Sequence, residues 1–181
     1  MSADHDRLVA LFHHRWAAPI LAELHRTAGS KFVTLVHHLG ISRDSLRWTL
    51  QALVESGWIE RNPGYGHPLR PEYILTEAGA RLAPLCGELM NALRRADLQD
   101  VGLRKWSMPL IYALLRESRR FGELKKLLDG ITARALALAL TDLEAAGLID
   151  RSAAYRLTTR GARLGKLLEG VARASDTAGA S

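Results

Sequence analysis

The chain has 181 residues, with 25 Lys plus Arg against 19 Asp plus Glu, and a formal net charge of +6. Its 48 % hydrophobic and 24 % charged residues are ordinary for a globular protein and exclude a disordered, collagen-like or fibrous chain. A single cysteine, Cys86, excludes an internal disulfide, and the longest apolar run, residues 108–115, falls far short of the roughly 18 residues that suggest a membrane span. The opening Met-Ser-Ala-Asp-His-Asp lacks the basic start of a signal peptide, so a cytoplasmic location without membrane contact is expected.

The charge is uneven. Residues 1–90 hold nine basic and nine acidic side chains, residues 91–181 hold 16 and 10, and all seven histidines lie in the first half. A basic chain of this size suggests a polyanionic partner, without choosing which one.

An internal repeat sets the architecture. Trp16, Pro19, Leu24, Gly40, Ile41, Leu46, Leu50, Leu53, Gly57, Ile59 and Arg61 recur 90 residues later as Trp106, Pro109, Leu114, Gly130, Ile131, Leu136, Leu140, Leu143, Gly147, Ile149 and Arg151. Tyr73, Leu75, Thr76, Gly79 and Leu82 then match Tyr155, Leu157, Thr158, Gly161 and Leu164 at an offset of 82, so the second copy has lost eight residues.

In chain order, an N-terminal helix precedes a helix over residues 16–26, where Pro19 is tolerated in the first turn; its counterpart is expected to start with Ser107 as N-cap. Residues 32–39 form a second helix, Gly40 turns the chain, and Ser42 caps a third helix that Gly57 ends; Thr132 and Gly147 punctuate the second copy alike. Residues 58–61 and 72–75 read as paired strands around a Gly/Pro-rich loop. Helix, helix, turn, helix and hairpin make a winged helix-turn-helix. The expected fold class is therefore mainly α with small β-hairpins: a winged domain with its N-terminal helix over 1–82, a connecting helix over 83–103, a second winged domain with a shortened wing over 104–172, and a disordered tail over 173–181. The connecting helix is read as beginning at Thr76 and running to Asp100, with Pro84 and Gly87 disturbing its first part.

The first copy's Trp16, Pro19-Ile20-Leu21, Phe32, Gly40-Ile41-Ser42, Leu46, Leu50, Leu53, Gly57, Arg61 and Pro71 through Gly79 resemble the HxlR-type winged-helix regulators, a branch similar to the MarR group. The second copy resembles them again through Trp106, Phe121-Gly122-Glu123-Leu124, Gly130-Ile131, Leu143-Glu144, Gly147-Leu148-Ile149 and residues 155–161. Members of that family usually carry one such domain and act as homodimers, so the resemblance implies a single-chain tandem similar to a fused dimer. Some relatives sense oxidants through a cysteine ahead of the first winged core; here His13, His14 and Arg15 occupy that region, and the role does not carry over.

In a helix-turn-helix the third helix enters the major groove. Taking about 100° per residue, Leu46, Leu50 and Leu53 share the core face, while Asp44, Arg47, Trp48 and Gln51 face away. Arg47 suits guanine and Gln51 adenine, and Ser42, Arg43 and Ser45 suit phosphates or base edges. Trp48 has two readings, contact with thymine methyls or burial against another helix. In the loop, His67 and Arg70 are candidates for the minor groove or its phosphates. The second copy presents Ala133, Ala135, Ala137, Leu138 and Ala139 on its third helix, with Thr132, Arg134 and Thr141 as its main polar side chains, so most base readout is expected to be lost. An all-round apolar helix suggests burial between copies or chains. Lys125, Lys126, Arg116, Arg119, Arg120, Arg156, Arg160, Arg163 and Lys166 give that copy a phosphate-holding surface, or simply a solvated one.

His13-His14 and His37-His38 do not chelate, since adjacent helical residues diverge by about 100°, and neither a metal nor another cofactor is expected. Cys86 reads as an inert buried thiol, and the chain carries no phosphate loop, nucleophile elbow or paired-carboxylate motif that would argue for an enzyme. The favoured function is a sequence-specific DNA-binding regulator, a repressor, with double-stranded DNA as partner. Homodimerisation and a small-molecule effector stay open. The rival readings are a protein-protein interaction module and a ligand sensor with Trp16, Trp106 and Tyr112 around a pocket between the copies.

Overall fold

The computed structural model describes residues 3–62 and 72–175. Helix α1 (Ala3–His13) buries Leu8, Leu11 and Phe12, which the 3.6-residue period puts on one face. Although it opens the chain, α1 packs mainly on the second copy, against α7 (Ser107–Ala113) and α10 (Thr159–Ala174). Tyr112 ties the contact, donating its hydroxyl to Asp4 Oδ2 at 3.1 Å and meeting the His5 ring edge-on at 5.1 Å.

Helix α2 (Ala17–Thr27) carries Pro19 in its first turn as expected, and Ala28 closes it in the left-handed region at φ 53°. A two-residue strand, β1 (Ser30–Lys31), leads into α3 (Phe32–Leu39), which Gly40 ends at φ 60°. Helix α4 (Arg43–Glu55) starts where Ser42 Oγ accepts from the Ser45 N–H at 3.2 Å. Strands β2 (Ile59–Asn62) and β3 (Glu72–Leu75) then pair antiparallel with Ile59 opposite Leu75, and β1 joins the far side of β3 with Ser30 opposite Tyr73. The sequence reading lacked β1, which is too short to show alternation.

Helix α5 (Glu77–Arg95) runs unbroken through Pro84 and is then interrupted. Asp97 takes φ 53°, and the chain restarts as α6 (Gln99–Gly102), so the single helix expected to Asp100 is two. The second copy follows with α7, α8 (Phe121–Leu127), α9 (Ala133–Ala145), β4 (Ile149–Arg151), β5 (Tyr155–Leu157) and α10. Ser107 is not the cap of α7: Trp106 holds that place, and the Ser107 hydroxyl is buried without a hydrogen-bond partner. In place of β1 this copy has one bridge, Arg119 with Tyr155. Helix α10 continues to Ala174, two residues beyond the expected domain end.

The repeat persists in the hydrogen bonds. Thr76 Oγ1 accepts from the Gly79 N–H at 3.1 Å and donates to the Gly57 carbonyl at 2.6 Å; Thr158 does the same with Gly161 at 3.1 Å and Gly147 at 2.8 Å. Helices α5 and α10, the closing helices of the two copies, pack on each other, and one contiguous core runs through both copies. Arg160 adds a polar tie, its guanidinium donating to the Ala96 carbonyl at 2.5 Å and the Ala146 carbonyl at 2.9 Å.

Candidate nucleic-acid interface

Helix α4 separates its faces cleanly. Leu46, Thr49, Leu50 and Leu53 are buried, while Ser42, Arg43, Asp44, Ser45, Arg47, Trp48 and Gln51 are exposed. Within the chain no other helix covers Trp48, whose indole is 67 % exposed. Arg47 pairs with Asp44 at 3.0 Å and Gln51 donates to Glu55 at 2.9 Å, both at the surface, where a competing partner exchanges them at small cost. Ser42 has a structural task, since its hydroxyl caps α4 and also donates to Ser45 Oγ at 2.9 Å. His67 and Arg70 lie outside the described residues.

Helix α9 is arranged alike, with Leu136, Ala139, Leu140 and Leu143 buried and Ala133, Arg134, Ala137, Leu138 and Thr141 exposed. Of burial between copies or chains, the first is not found, since Leu138 is 61 % exposed within the chain. A helix apolar all round can still face water on one side when its core face is already supplied by other leucines. Thr132 is the cap, accepting from the Ala135 N–H at 3.1 Å. The hairpin between β4 and β5 is closed by residues 152–154, with the Ser152 N–H on the Ala154 carbonyl at 3.2 Å.

The basic residues of the second copy divide into two groups. Arg119 is half-buried, donating from Nε to the Ala113 carbonyl at 2.9 Å and pairing with Glu117 at 2.6 Å. Arg156 pairs with Asp150 at 2.6 Å, Arg116 approaches Glu169 at 3.8 Å, Arg104 pairs with Asp142, and Arg160 holds the two carbonyls described above. Arg119 and Arg160 are committed to backbone carbonyls of the fold, whereas the exposed pairs of Arg104, Arg116 and Arg156 are as exchangeable as that of Arg47. Arg120, Lys125, Lys126, Arg134, Arg163 and Lys166 point to solvent.

A groove of about 720 Å³ opens between α2, α3, α5 and α6, walled by Trp16, Leu39, Pro84, Met90 and Leu103. At its edge Glu23 receives Arg26 at 2.7 Å and His38 at 2.6 Å. The Arg26 hydrogen bond, and secondarily that of His38, holds the Glu23 carboxyl below its usual range despite partial burial. The sequence reading missed this cluster: the i, i+3 spacing of Glu23 and Arg26 was visible, but not the approach of His38 from another helix. Trp16, Trp106 and Tyr112 do not gather around one pocket, since Tyr112 lines a separate cavity of about 230 Å³ with Asp4 and His5. Tyr112 occupies the repeat position of Ala22, which lines the large groove of the first copy. Among the described residues no helix is long and apolar enough to cross a membrane.

Two helix-turn-helix units, each closed by an antiparallel hairpin and each presenting the outer face of its third helix to solvent, define a tandem winged helix-turn-helix protein. The model of the HxlR-like helix-turn-helix family matches the chain twice, over residues 11–97 and 101–177, and the chain belongs to that family. It is 41 % identical over 76 residues to uncharacterized HTH-type transcriptional regulators of Mycobacterium bovis and Mycobacterium tuberculosis, an overlap of 42 % of this chain and 48 % of theirs. The chain thus spans about half the length of these mycobacterial relatives. An uncharacterized HTH-type transcriptional regulator of Synechocystis is 30 % identical over 106 residues, 54 % of this chain and 76 % of that protein.

Proposed function

We propose that the protein is a sequence-specific DNA-binding transcriptional regulator that represses by occupying its site, with α4 choosing the bases and the second copy contributing mainly phosphate contacts. The observation that carries this reading is the solvent-facing row of Arg47, Trp48 and Gln51 on the third helix of a winged helix-turn-helix, opposite its buried leucines. Arg47 is the residue type that reads guanine N7 and O6, and Gln51 the type that reads adenine N6 and N7. Lys125, Lys126 and Arg134 lie exposed around α9 and supply sequence-independent grip. The names of the HTH-type relatives point the same way. The wing residues His67 and Arg70 join the proposal as minor-groove contacts.

The test is a binding site selected from random duplexes, followed by Arg47→Ala and Gln51→Ala. Each substitution should cost about 1–3 kcal/mol of discrimination at one base pair. Unchanged discrimination against random DNA in the double variant overturns the reading.

Control by a small molecule is favoured by one observation, the groove between α2, α3, α5 and α6. It touches the second helix of the helix-turn-helix and both segments that lead into the second copy, so an occupant there would bear on how α4 is held.

A further inference from the structure

The two reading helices expose the same positions and fill them differently. Arg47, Trp48 and Gln51 of α4 correspond in the repeat to Ala137, Leu138 and Thr141 of α9, and all six are exposed. Thr141 adds little polarity, because its hydroxyl donates to the Ala137 carbonyl of its own helix at 3.0 Å. The outer face of α9 is therefore an apolar strip of Ala133, Ala137 and Leu138, and cations frame it. Arg134 stands where α4 has Asp44, Lys125 and Lys126 lie on the preceding helix, and Arg151 lies on the hairpin, all of them exposed.

An apolar strip with a cationic frame fits a surface that is anionic along its walls and carries methyl groups on its floor. The major groove has that pattern wherever thymines occur, with phosphates on both sides and C5 methyl groups projecting inward. A protein partner would have to match the strip with apolar side chains and the frame with carboxylates, whereas any duplex brings the phosphates already.

We propose that α9 reads thymine methyl groups through Ala137 and Leu138, so that a single chain covers an asymmetric site. One half-site offers purine edges to Arg47 and Gln51, and the other offers thymine methyls to Leu138 and Ala137. This rests on the DNA-binding reading above and revises its division of labour, giving the second copy a chemically different base recognition beside its phosphate contacts. Because α5 and α10 pack within one chain, both readers are present without a second protomer.

The experiment uses the full chain and a duplex selected from a random pool. Each thymine is replaced in turn by deoxyuracil, which removes the C5 methyl and nothing else. In the half-site under α9, apart from any thymine that Trp48 meets in the other, one or two thymines should each show about fourfold weaker binding on replacement, the effect of uncovering one methyl-sized group. Leu138→Ala, at an exposed position that leaves folding intact, should make those positions indifferent to the replacement while the guanine and adenine preferences of the other half-site persist. Sequence-specific binding that ignores deoxyuracil everywhere overturns the proposal and leaves the DNA-binding reading standing. No sequence preference at all removes both. A Leu138→Ala variant with unchanged DNA binding but altered self-association in light scattering makes α9 a protein contact and overturns the proposal.

Discussion

A side-chain carbon placed on Gly79 would stand 1.8 Å from the carbonyl oxygen of Trp58, so the first turn of α5 lies directly on the backbone that enters β2. The second copy repeats the contact, with Gly161 and the Leu148 carbonyl at 2.0 Å. Backbone on both sides leaves nothing flexible to move aside. Gly79→Ala and Gly161→Ala should therefore each destabilise by about 1–3 kcal/mol or more, the cost of overpacking a filled site. Thermal unfolding followed by circular dichroism checks this; a Tm within a degree of the parent for either variant contradicts it.

Cys86 is fully buried in α5, and burial pushes its thiol up to about 12. A thiol that stays protonated and covered is a poor nucleophile. Alkylation by iodoacetamide at pH 8 should be negligible in the folded protein and stoichiometric in denaturant. Rapid labelling of the native protein counts against the burial described above.

His5 sits buried on α1 against Tyr112, with neither ring nitrogen hydrogen-bonded. Burial, and secondarily the Arg119 cation, hold its pKa below the usual 6.5, although Asp4 and Asp6 oppose the shift. The unfolded chain then binds a proton more readily than the folded one, so the associated stability is present above about pH 6.5 and is lost as pH falls below it. His5→Phe keeps an aromatic ring on Tyr112 and removes the titration. Its Tm relative to the parent should rise between pH 7 and pH 5.5; a constant difference across that range excludes His5 as a source of acid sensitivity.

The division among the basic residues of the second copy gives opposite expectations for similar substitutions. Arg119→Ala removes the donor to the Ala113 carbonyl and should cost about 1–3 kcal/mol of stability, since a half-buried carbonyl is left unpaired. Lys125→Ala and Lys126→Ala should leave the Tm within experimental scatter and lower the slope of log K against log salt by about 1 each. Equal salt slopes in parent and lysine variants would remove α8 from the DNA contact.

Much of the fold was legible because the sequence states it twice. The recurrence of Gly40, Ser42, Gly57 and Thr76 at Gly130, Thr132, Gly147 and Thr158 marks helix ends by capping chemistry, which acts over three or four residues and so shows in a string of letters. The outward face of α4 followed from its period for the same reason. What stayed hidden depends on partners distant in the chain: α1 crossing to the second copy, His38 reaching Glu23, and Arg119 and Arg160 turning to carbonyls instead of solvent. Which side of α9 lies open within the chain was hidden too, because an apolar side chain on an apolar helix suggests burial between the copies, while only the packed neighbours decide it.

The packing of α5 on α10 within one polypeptide has a consequence for how such a protein changes over generations. In a pair of identical subunits every substitution in a reading helix appears twice, and its target must change at two places together. Here a substitution in α9 alters one copy alone, so the two outer helix faces are free to diverge one residue at a time, as Arg47, Trp48 and Gln51 already have from Ala137, Leu138 and Thr141.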